Sequence, residues 1–224
     1  LVNEQGLKKL PVTSVQYCEP ERPCTLVIGP KNHRRWEMSI NPGEDPQHLA
    51  TPEGTWPLLA RWLTPDDATL WRQASYRFHA LVAQDWRQGR VFLAGDACHL
   101  HPPFGGYGMN MGVADGVDLG WKIAAVLQGW GGPALLDSYE VERKPVHNMV
   151  LDEAVANHAM LGNQLWQDGL DADTPKGAAM RREVGAVIQA GKLREFTTLG
   201  VMLGYRYDNS PVIVPDGSPM PGHD

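Results

Sequence analysis

Two short β-leaning runs lie near the start of the chain. Thr25-Leu-Val-Ile28 and Arg35-Trp-Glu-Met-Ser-Ile40 are bounded by Gly29-Pro30 and Asn41-Pro-Gly43, so each predicts a short strand. In the second run Trp36, Met38 and Ile40 fall on one side and Arg35, Glu37 and Ser39 on the other, which implies a sheet with one solvated face. Residues 51–75 predict Pro-, Trp- and Asp-rich helical turns, with Thr64 as an N-cap ahead of Pro65-Asp-Asp67, a first turn suited to the helix dipole. Ser75 to Ala83 alternates again, with Tyr76 and Phe78 opposite Arg77 and His79. After a turn at Arg87-Gln-Gly-Arg90, the unbroken apolar run Val91-Phe-Leu-Ala94 fits a strand buried on both faces.

The period then changes. A long helix is predicted from Gly106–Gly108 to about Leu127, followed by the break Gly129-Trp-Gly-Gly-Pro133. A second helix begins near Ala134 and must kink or restart at Pro145, with helical periodicity continuing from Val146 to about Leu165. A further helical piece lies around Ala178 to Phe196. Gly204 to Gly217, aromatic and Pro-containing, predicts strand and loop, and Pro219-Met-Pro-Gly-His-Asp224 reads as a polar turn. The class implied is mixed α/β (α+β).

Composition narrows the partners. Twenty basic and 26 acidic side chains give a net charge of −6 with no run of five like charges, so a polyanion such as nucleic acid is not expected to bind. No apolar run approaches the roughly 18 residues needed to cross a bilayer, and no membrane is expected. Three cysteines, Cys18, Cys24 and Cys98, make a disulfide framework improbable and a reducing cytoplasm the expected compartment. Eight tryptophans with 24 glycines and 18 prolines predict a loop-rich fold with aromatic packing. The opening Leu1-Val-Asn-Glu-Gln lacks an initiator Met, so a chain cut from something longer is expected.

Chemistry is expected where the apolar run ends in Gly95-Asp96. A carboxylate at the carboxyl edge of a strand stands where open α/β sheets bind ligands, and can accept hydrogen bonds from a sugar or ribityl hydroxyl. Pro102-Pro103 favours extended backbone, and Gly105, Gly106 and Gly108 let main-chain atoms approach a flat ligand. The helix that follows starts near Met109 and Asn110, whose free N–H groups suit an anionic locus. Glycines 108, 112, 116 and 120 form one stripe along it, costing roughly 1 kcal/mol each relative to Ala. Either tight helix-on-sheet packing or closeness to a cofactor would explain them.

The stretch from Arg90-Val-Phe-Leu-Ala-Gly-Asp96 through Ala-Cys-His-Leu-His-Pro-Pro-Phe-Gly-Gly-Tyr-Gly-Met-Asn110 to Trp121-Lys122 resembles the second flavin motif of single-component (class A) flavoprotein aromatic hydroxylases. Arg34-Arg-Trp-Glu-Met38, Asn41-Pro-Gly-Glu44 and Leu136-Asp-Ser-Tyr-Glu-Val-Glu-Arg-Lys-Pro145 support it. The resemblance covers most of residues 25–150, and 204–217 more weakly. It is strongest to the branch of 3-(3-hydroxyphenyl)propanoate hydroxylase and the phenol and polyketide hydroxylases.

The resemblance implies part of an FAD-binding Rossmann-like domain plus a substrate-domain β-sheet, with C-terminal helices. It divides the chain into a partial substrate sheet (1–80), the second half of the FAD domain (81–150) and a helical region with a terminal strand and loop (151–224). By position, Gly95 and Asp96 would hold the ribityl chain and the Pro103 backbone would lie by the flavin ring and substrate. Gly105, Gly108, Met109 and Asn110 would contact the isoalloxazine. The implied reaction uses NAD(P)H as co-substrate to reduce FAD, then O2, forming a flavin C4a-hydroperoxide that hydroxylates a small phenolic substrate. The family's G-x-G-x-x-G strand and central Asp-Gly motif have no counterpart here, so the adenine and pyrophosphate have no visible site. This chain alone is expected to bind FAD weakly or not at all, and turnover would require the missing N-terminal half; a homo-oligomer is a further expected partner.

Other readings stand beside this one. Trp36, His101 and Phe104 are candidate substrate contacts, with sheet packing the competing role for Trp36. His99-x-His101 beside Cys98 shows no third ligand at metal spacing, so no metal is expected. Cys18, Cys24 and His33 are too loosely spaced for a zinc finger, no Gly-x-Ser-x-Gly nucleophile is present, and catalytic acid–base residues are not identifiable. Trp62 and Trp71 are expected in a core, and Tyr107 has no evident role. A flavin halogenase or reductase of the same fold would share the Gly-Asp strand, while the run Pro102-Pro-Phe-Gly-Gly-Tyr-Gly-Met-Asn110 favours a hydroxylase; a non-catalytic remnant or oligomerising module is the third reading.

Overall fold

A computed structural model describes residues 1–159 and 165–219. The chain forms two compact units, one of Leu1–Arg77 with Leu161–Val184 and one of Phe78–Met160 with Gly185–Asp224.

In the first unit, α1 (Glu4–Lys8) is capped by Asn3, whose side chain accepts the Gly6 N–H at 2.9 Å. A three-stranded antiparallel sheet follows in the order β1 (Val15–Tyr17), β2 (Cys24–Ile28), β3 (Arg34–Met38). Leu26 pairs with Trp36 in its register. The alternation expected across Arg35–Met38 is present: Arg35 and Glu37 are exposed, and Trp36 and Met38 are half-buried. Leu26 is fully buried with Val2, Leu10 and Leu63, and Trp36, Trp56 and Trp62 pack against them. Burying one such side chain is worth about 1.5–3 kcal/mol, which makes this cluster the unit's anchor.

Two helices, α2 (Pro46–Leu49) and α3 (Pro52–Leu59), begin behind Asp45 and Thr51, whose side chains accept from Gln47 and Gly54. The helix expected after Thr64 does not form. The Asp67 carboxylate folds back to accept the Thr64 N–H at 2.8 Å and its hydroxyl at 2.9 Å, closing a single turn, and Ala68 then bridges to Val2. Trp71, expected in a core, is 75% exposed and meets only the edge of His33 among ring contacts of the described residues.

The second unit departs from expectation at its start. The alternating run 75–83 contributes only β4 (Leu81–Val82), paired with β7 (His99–Leu100); Tyr76 and Phe78 stay exposed because no described strand lies beside them. The apolar run at Val91 is likewise not a doubly buried strand. β5 (Arg87–Gln88) and β6 (Val91–Phe92) form a tight hairpin through Gly89, at φ +59°. Among the described residues no further strand pairs with β6, so Val91 is exposed.

A one-turn 3-10 helix, Gly95–Ala97, leads on to β7, and the long helices are α4 (Tyr107–Leu127) and α5 (Ala134–Ala159). α5 runs through Pro145 without restarting. Pro145 and Val141, whose carbonyl loses its donor, are both exposed, so water can replace the missing bond. The helix expected from Val146 to Leu165 is present to Ala159; residues 160–164 lie outside the described residues, as do residues 220–224 of the expected polar turn.

α6 (Pro175–Phe196) covers the expected helical piece, α7 (Leu199–Leu203) was not anticipated, and 204–217 is loop and turn without the expected strand. Tyr107, Met111, Val146, Val150, Ala154 and Val201 make one core, and Trp86, Cys98 and Tyr139 a second. Among the described residues no helix is long and apolar enough to cross a membrane.

Candidate functional site

The predicted turn and helix start lie together in the second unit. Gly95 turns the chain at φ +59°, a conformation that costs a residue with a Cβ but not glycine. A Cβ on Gly112 of α4 would reach the Gly95 Cα at 3.4 Å, so helix and turn touch backbone to backbone. Asp96 follows with an exposed side chain. Pro102 is buried and Pro103 exposed, and the Gly106 N–H donates to the Pro103 carbonyl at 3.1 Å. Gly105 is at φ +95°, where a Cβ would lie 2.3 Å from the Tyr107 ring. That ring is itself buried in the core with Met111, so Tyr107 closes the turn from beneath.

These residues fit a flat, polar-edged group such as a flavin. Gly106 caps α4 without a side-chain hydrogen bond, which leaves first-turn N–H groups without that partner. A Cβ on Gly108 meets nothing within 4 Å among the described residues, and Met109 and Asn110 are exposed. Of the four-glycine stripe, only Gly112 makes a close contact; Gly116 and Gly120 also face open space.

Phe104 stacks on His158 at 4.5 Å, with the edge of Phe78 5.5 Å from it. Trp36 belongs to the first unit and packs 6.1 Å from Trp62.

Behind the turn is a buried polar network that sequence reasoning missed. Asp115, fully buried on α4, accepts from the Gly95 N–H at 3.1 Å and from His99 Nε2 at 2.6 Å through one oxygen. Its other oxygen accepts from Arg143 Nε at 2.9 Å and His147 Nε2 at 2.8 Å. Burial alone would raise its affinity for a proton, but the hydrogen bonds from His147, His99 and Arg143 hold it far below the usual carboxylate range. Burial drives His147 down to about 4 against the pull of Asp115, and His101 is lowered for the same first reason.

One turn away, fully buried Lys122 donates to Asp118 at 2.8 Å and to Glu142, and Glu142 also accepts from Ser210. Arg143 donates to the Tyr207 hydroxyl at 3.2 Å, so the same charges fasten the 207–210 segment. The available signal was a charged row, Asp115, Asp118 and Lys122, on one side of α4.

The fold also supplies the third ligand candidates that sequence spacing lacked: His147 joins His99 and His101, and Asp115 joins Cys98 and His99. The imidazoles are stacked, however. His99 and His147 lie 3.6 Å apart at 27°, and His101 and His147 5.3 Å apart at 10°. Nearly parallel rings aim their nitrogens side by side, whereas a metal requires lone pairs converging at about 2.1 Å. The cluster is organised around the Asp115 carboxylate.

Comparison with known proteins agrees with this geometry. Residues 35–154 match the family described as FAD binding domain, and the chain belongs to that family of flavoproteins. It is 38% identical over 141 residues to a Rhodococcus jostii protein named "probable NADH-specific resorcinol 4-hydroxylase", covering 62% of this chain and 26% of that protein. It is 40% identical over 159 residues to 3-(3-hydroxy-phenyl)propionate/3-hydroxycinnamic acid hydroxylase of Klebsiella pneumoniae, covering 68% of this chain and 29% of the relative. The flavin-dependent monooxygenase PieE, solved with FAD and substrate, aligns with a TM-score of 0.76 at 28% identity, over 95% of this chain and 40% of that one. The chain thus spans under a third of the length of these curated relatives.

Proposed function

We propose that this chain is the flavin-ring and ribityl portion of an FAD-dependent, NAD(P)H-using cytoplasmic monooxygenase that hydroxylates a small phenolic substrate with O2. The observation that carries the reading is the joined turn and helix: left-handed Gly95, exposed Asp96, the glycine pair 105–106 and the open start of α4, in a chain of an FAD-binding family. The NADH-specific relative favours a nicotinamide co-substrate, and the named hydroxylases favour a phenol.

FAD, when bound, supplies electron transfer from the nicotinamide and activation of O2. The protein's own part is placement. The Asp96 carboxylate would accept from ribityl hydroxyls, and the Gly105 and Gly108 backbone would lie against the ring. N–H groups at Met109 and Asn110 would serve the ring's electron-rich edge. Pro103, His101 and Phe104 border the space for the substrate, and Trp36 is proposed separately as a substrate contact of the substrate sheet. Residues 1–80 are proposed as part of that sheet, 81–150 as the flavin half-domain and 151–224 as supporting helices and loop.

Titration with FAD tests the reading once the rest of the protein is supplied: a protein-bound flavin spectrum should then survive gel filtration, and NADH or NADPH oxidation should rise on adding phenols. In that complete protein Asp96→Ala should weaken FAD binding about tenfold or more, the loss of charge-assisted hydrogen bonds. Unchanged affinity in that variant would remove Asp96 from the site, and complete protein without bound flavin would sink the reading.

A further inference from the structure

We propose that Asp115 is the positioning residue of this site: its buried carboxylate holds the Gly95–Asp96 turn, and through it the flavin-facing Asp96, in place. The inference rests on the flavin reading above and assigns a role to a residue that would not touch the flavin.

The hydrogen-bond count is the core of the argument. Asp115 lies 20 residues beyond Gly95 and is fully buried. An ionised carboxylate only accepts, and every neighbour of this one can donate: the Gly95 amide, Arg143 Nε, and the Nε2 atoms of His99 and His147. Both histidines then carry their proton on Nε2, consistent with Nδ1 atoms that are buried without a partner. An amide of the same size would place an NH2 among donors. No arrangement of Asn satisfies the site.

The bond to Gly95 also falls at the decisive place. Gly95 is the left-handed residue that ends the apolar run and opens the 3-10 turn. Among the described residues the other hydrogen bonds of residues 95–97 stay within 94–98: Ala97 N to the Ala94 carbonyl, and the Cys98 N–H and thiol to the Gly95 carbonyl. The link from this turn to the helical layer therefore runs through Asp115 and the adjoining Gly112 contact. Arg143 on α5 supplies the compensating charge, without which a fully buried carboxylate would be costly.

The test reads scalar coupling and amide exchange on this chain, and flavin binding on the chain joined to the rest of the protein. In wild-type protein the Gly95 N–H should show a hydrogen-bond scalar coupling to the Asp115 carboxyl carbon in NMR spectra. Asp115→Asn should keep its helical circular dichroism while the amides of Gly95, Asp96 and Ala97 exchange about 10- to 100-fold faster, the span set by one hydrogen bond to a charged group. FAD affinity should fall by a similar factor, and the induced visible circular dichroism of bound flavin should change. Ala125→Gly, a fully buried position at the far end of α4 whose carbonyl accepts from Trp130 and Gly131, loosens the same unit away from the turn and should leave both flavin readouts within about twofold.

The proposal is overturned if Asp115→Asn leaves Gly95 protected and FAD affinity unchanged, or if Ala125→Gly alters the flavin readouts equally. If Asp115→Asn fails to fold, the wild-type coupling decides, and its absence overturns the proposal. Wild-type complete protein that binds no FAD would count against the flavin reading, while coupling and amide exchange would still decide whether Asp115 holds the turn.

Discussion

The two units of this chain place their charges in opposite ways. In the first, Lys9–Asp67 and Arg61–Glu19 each leave at least one partner substantially in solvent and both partners of Arg22–Glu44 are partly exposed, around an interior of Val2, Leu10, Leu26 and Leu63. In the second, Asp115, Lys122, Arg143 and His147 are fully buried, while Met109, Val113, Val117 and Leu127 of the same α4 are exposed. The first unit is held by apolar burial with charges at its rim. The second uses hydrogen-bonded charges to fix a particular arrangement of turn, α4, α5 and the 207–210 segment. A buried ion pair adds little net stability over apolar residues, yet losing one partner is severe, so the contrast separates holding a fold from setting a geometry.

The sharpest way to break this contrast is Arg143→Met. It removes the guanidinium from a buried Asp115 and should cost roughly 3–5 kcal/mol in urea unfolding. A cost below about 1 kcal/mol would mean that the network is as dispensable as a surface pair.

Acid should act next, and unequally. His147, lowered by burial to about 4, refuses a proton that the unfolded chain accepts from about pH 6.5 downward. The second unit should therefore lose stability as pH falls from 6.5 to 4, by up to roughly 3 kcal/mol. Below pH 4 Asp115, with its strongly depressed proton affinity, adds to the loss in the same direction. In the first unit Glu44 and Asp67, held near 2 by Arg22 and Lys9 respectively, contribute stability that falls away only below about pH 4. Residue-resolved amide exchange between pH 7 and 4.5 should weaken residues 95–150 first, and uniform weakening of both units would contradict the picture.

The smallest effect belongs to Arg61→Met. Its pair with Glu19 is nearly half exposed on both sides, so a change under about 1 kcal/mol is expected in urea unfolding; a larger loss would give the first unit's rim a structural weight that burial denies it. The stack of Arg61 over Trp62, 4.2 Å from the ring centroid, would be the place to look.

How legible this was depended on which periodicity ruled. The strand at Arg35–Met38 and the helix at Tyr107 were readable because local alternation and a glycine break coincide with what the fold does. The alternation of 75–83 was equally clear and misled, since a strand also needs a neighbour. At Pro145 the helix continues and does not restart, because a helix can pass a proline where its open carbonyl is exposed. α4 was the hardest element to read beyond its bounds. A pattern that sends apolar residues inward would bury Val113 and Val117 and expose Asp115 and Lys122, and the fold does the reverse.

Sequence alone determined the local features: where the turn and helix begin, which residues can adopt φ near +60°, and the flavoprotein resemblance carried by Gly95 to Asn110. These depend on residues adjacent in the chain, and their sterics are present before folding. Only the tertiary structure decided that Asp115 meets Gly95, His99, Arg143 and His147. A carboxylate can be acceptable in a protein interior only when donors from distant segments surround it. That enclosure is a property of packed helices, and spacing along the chain does not encode it.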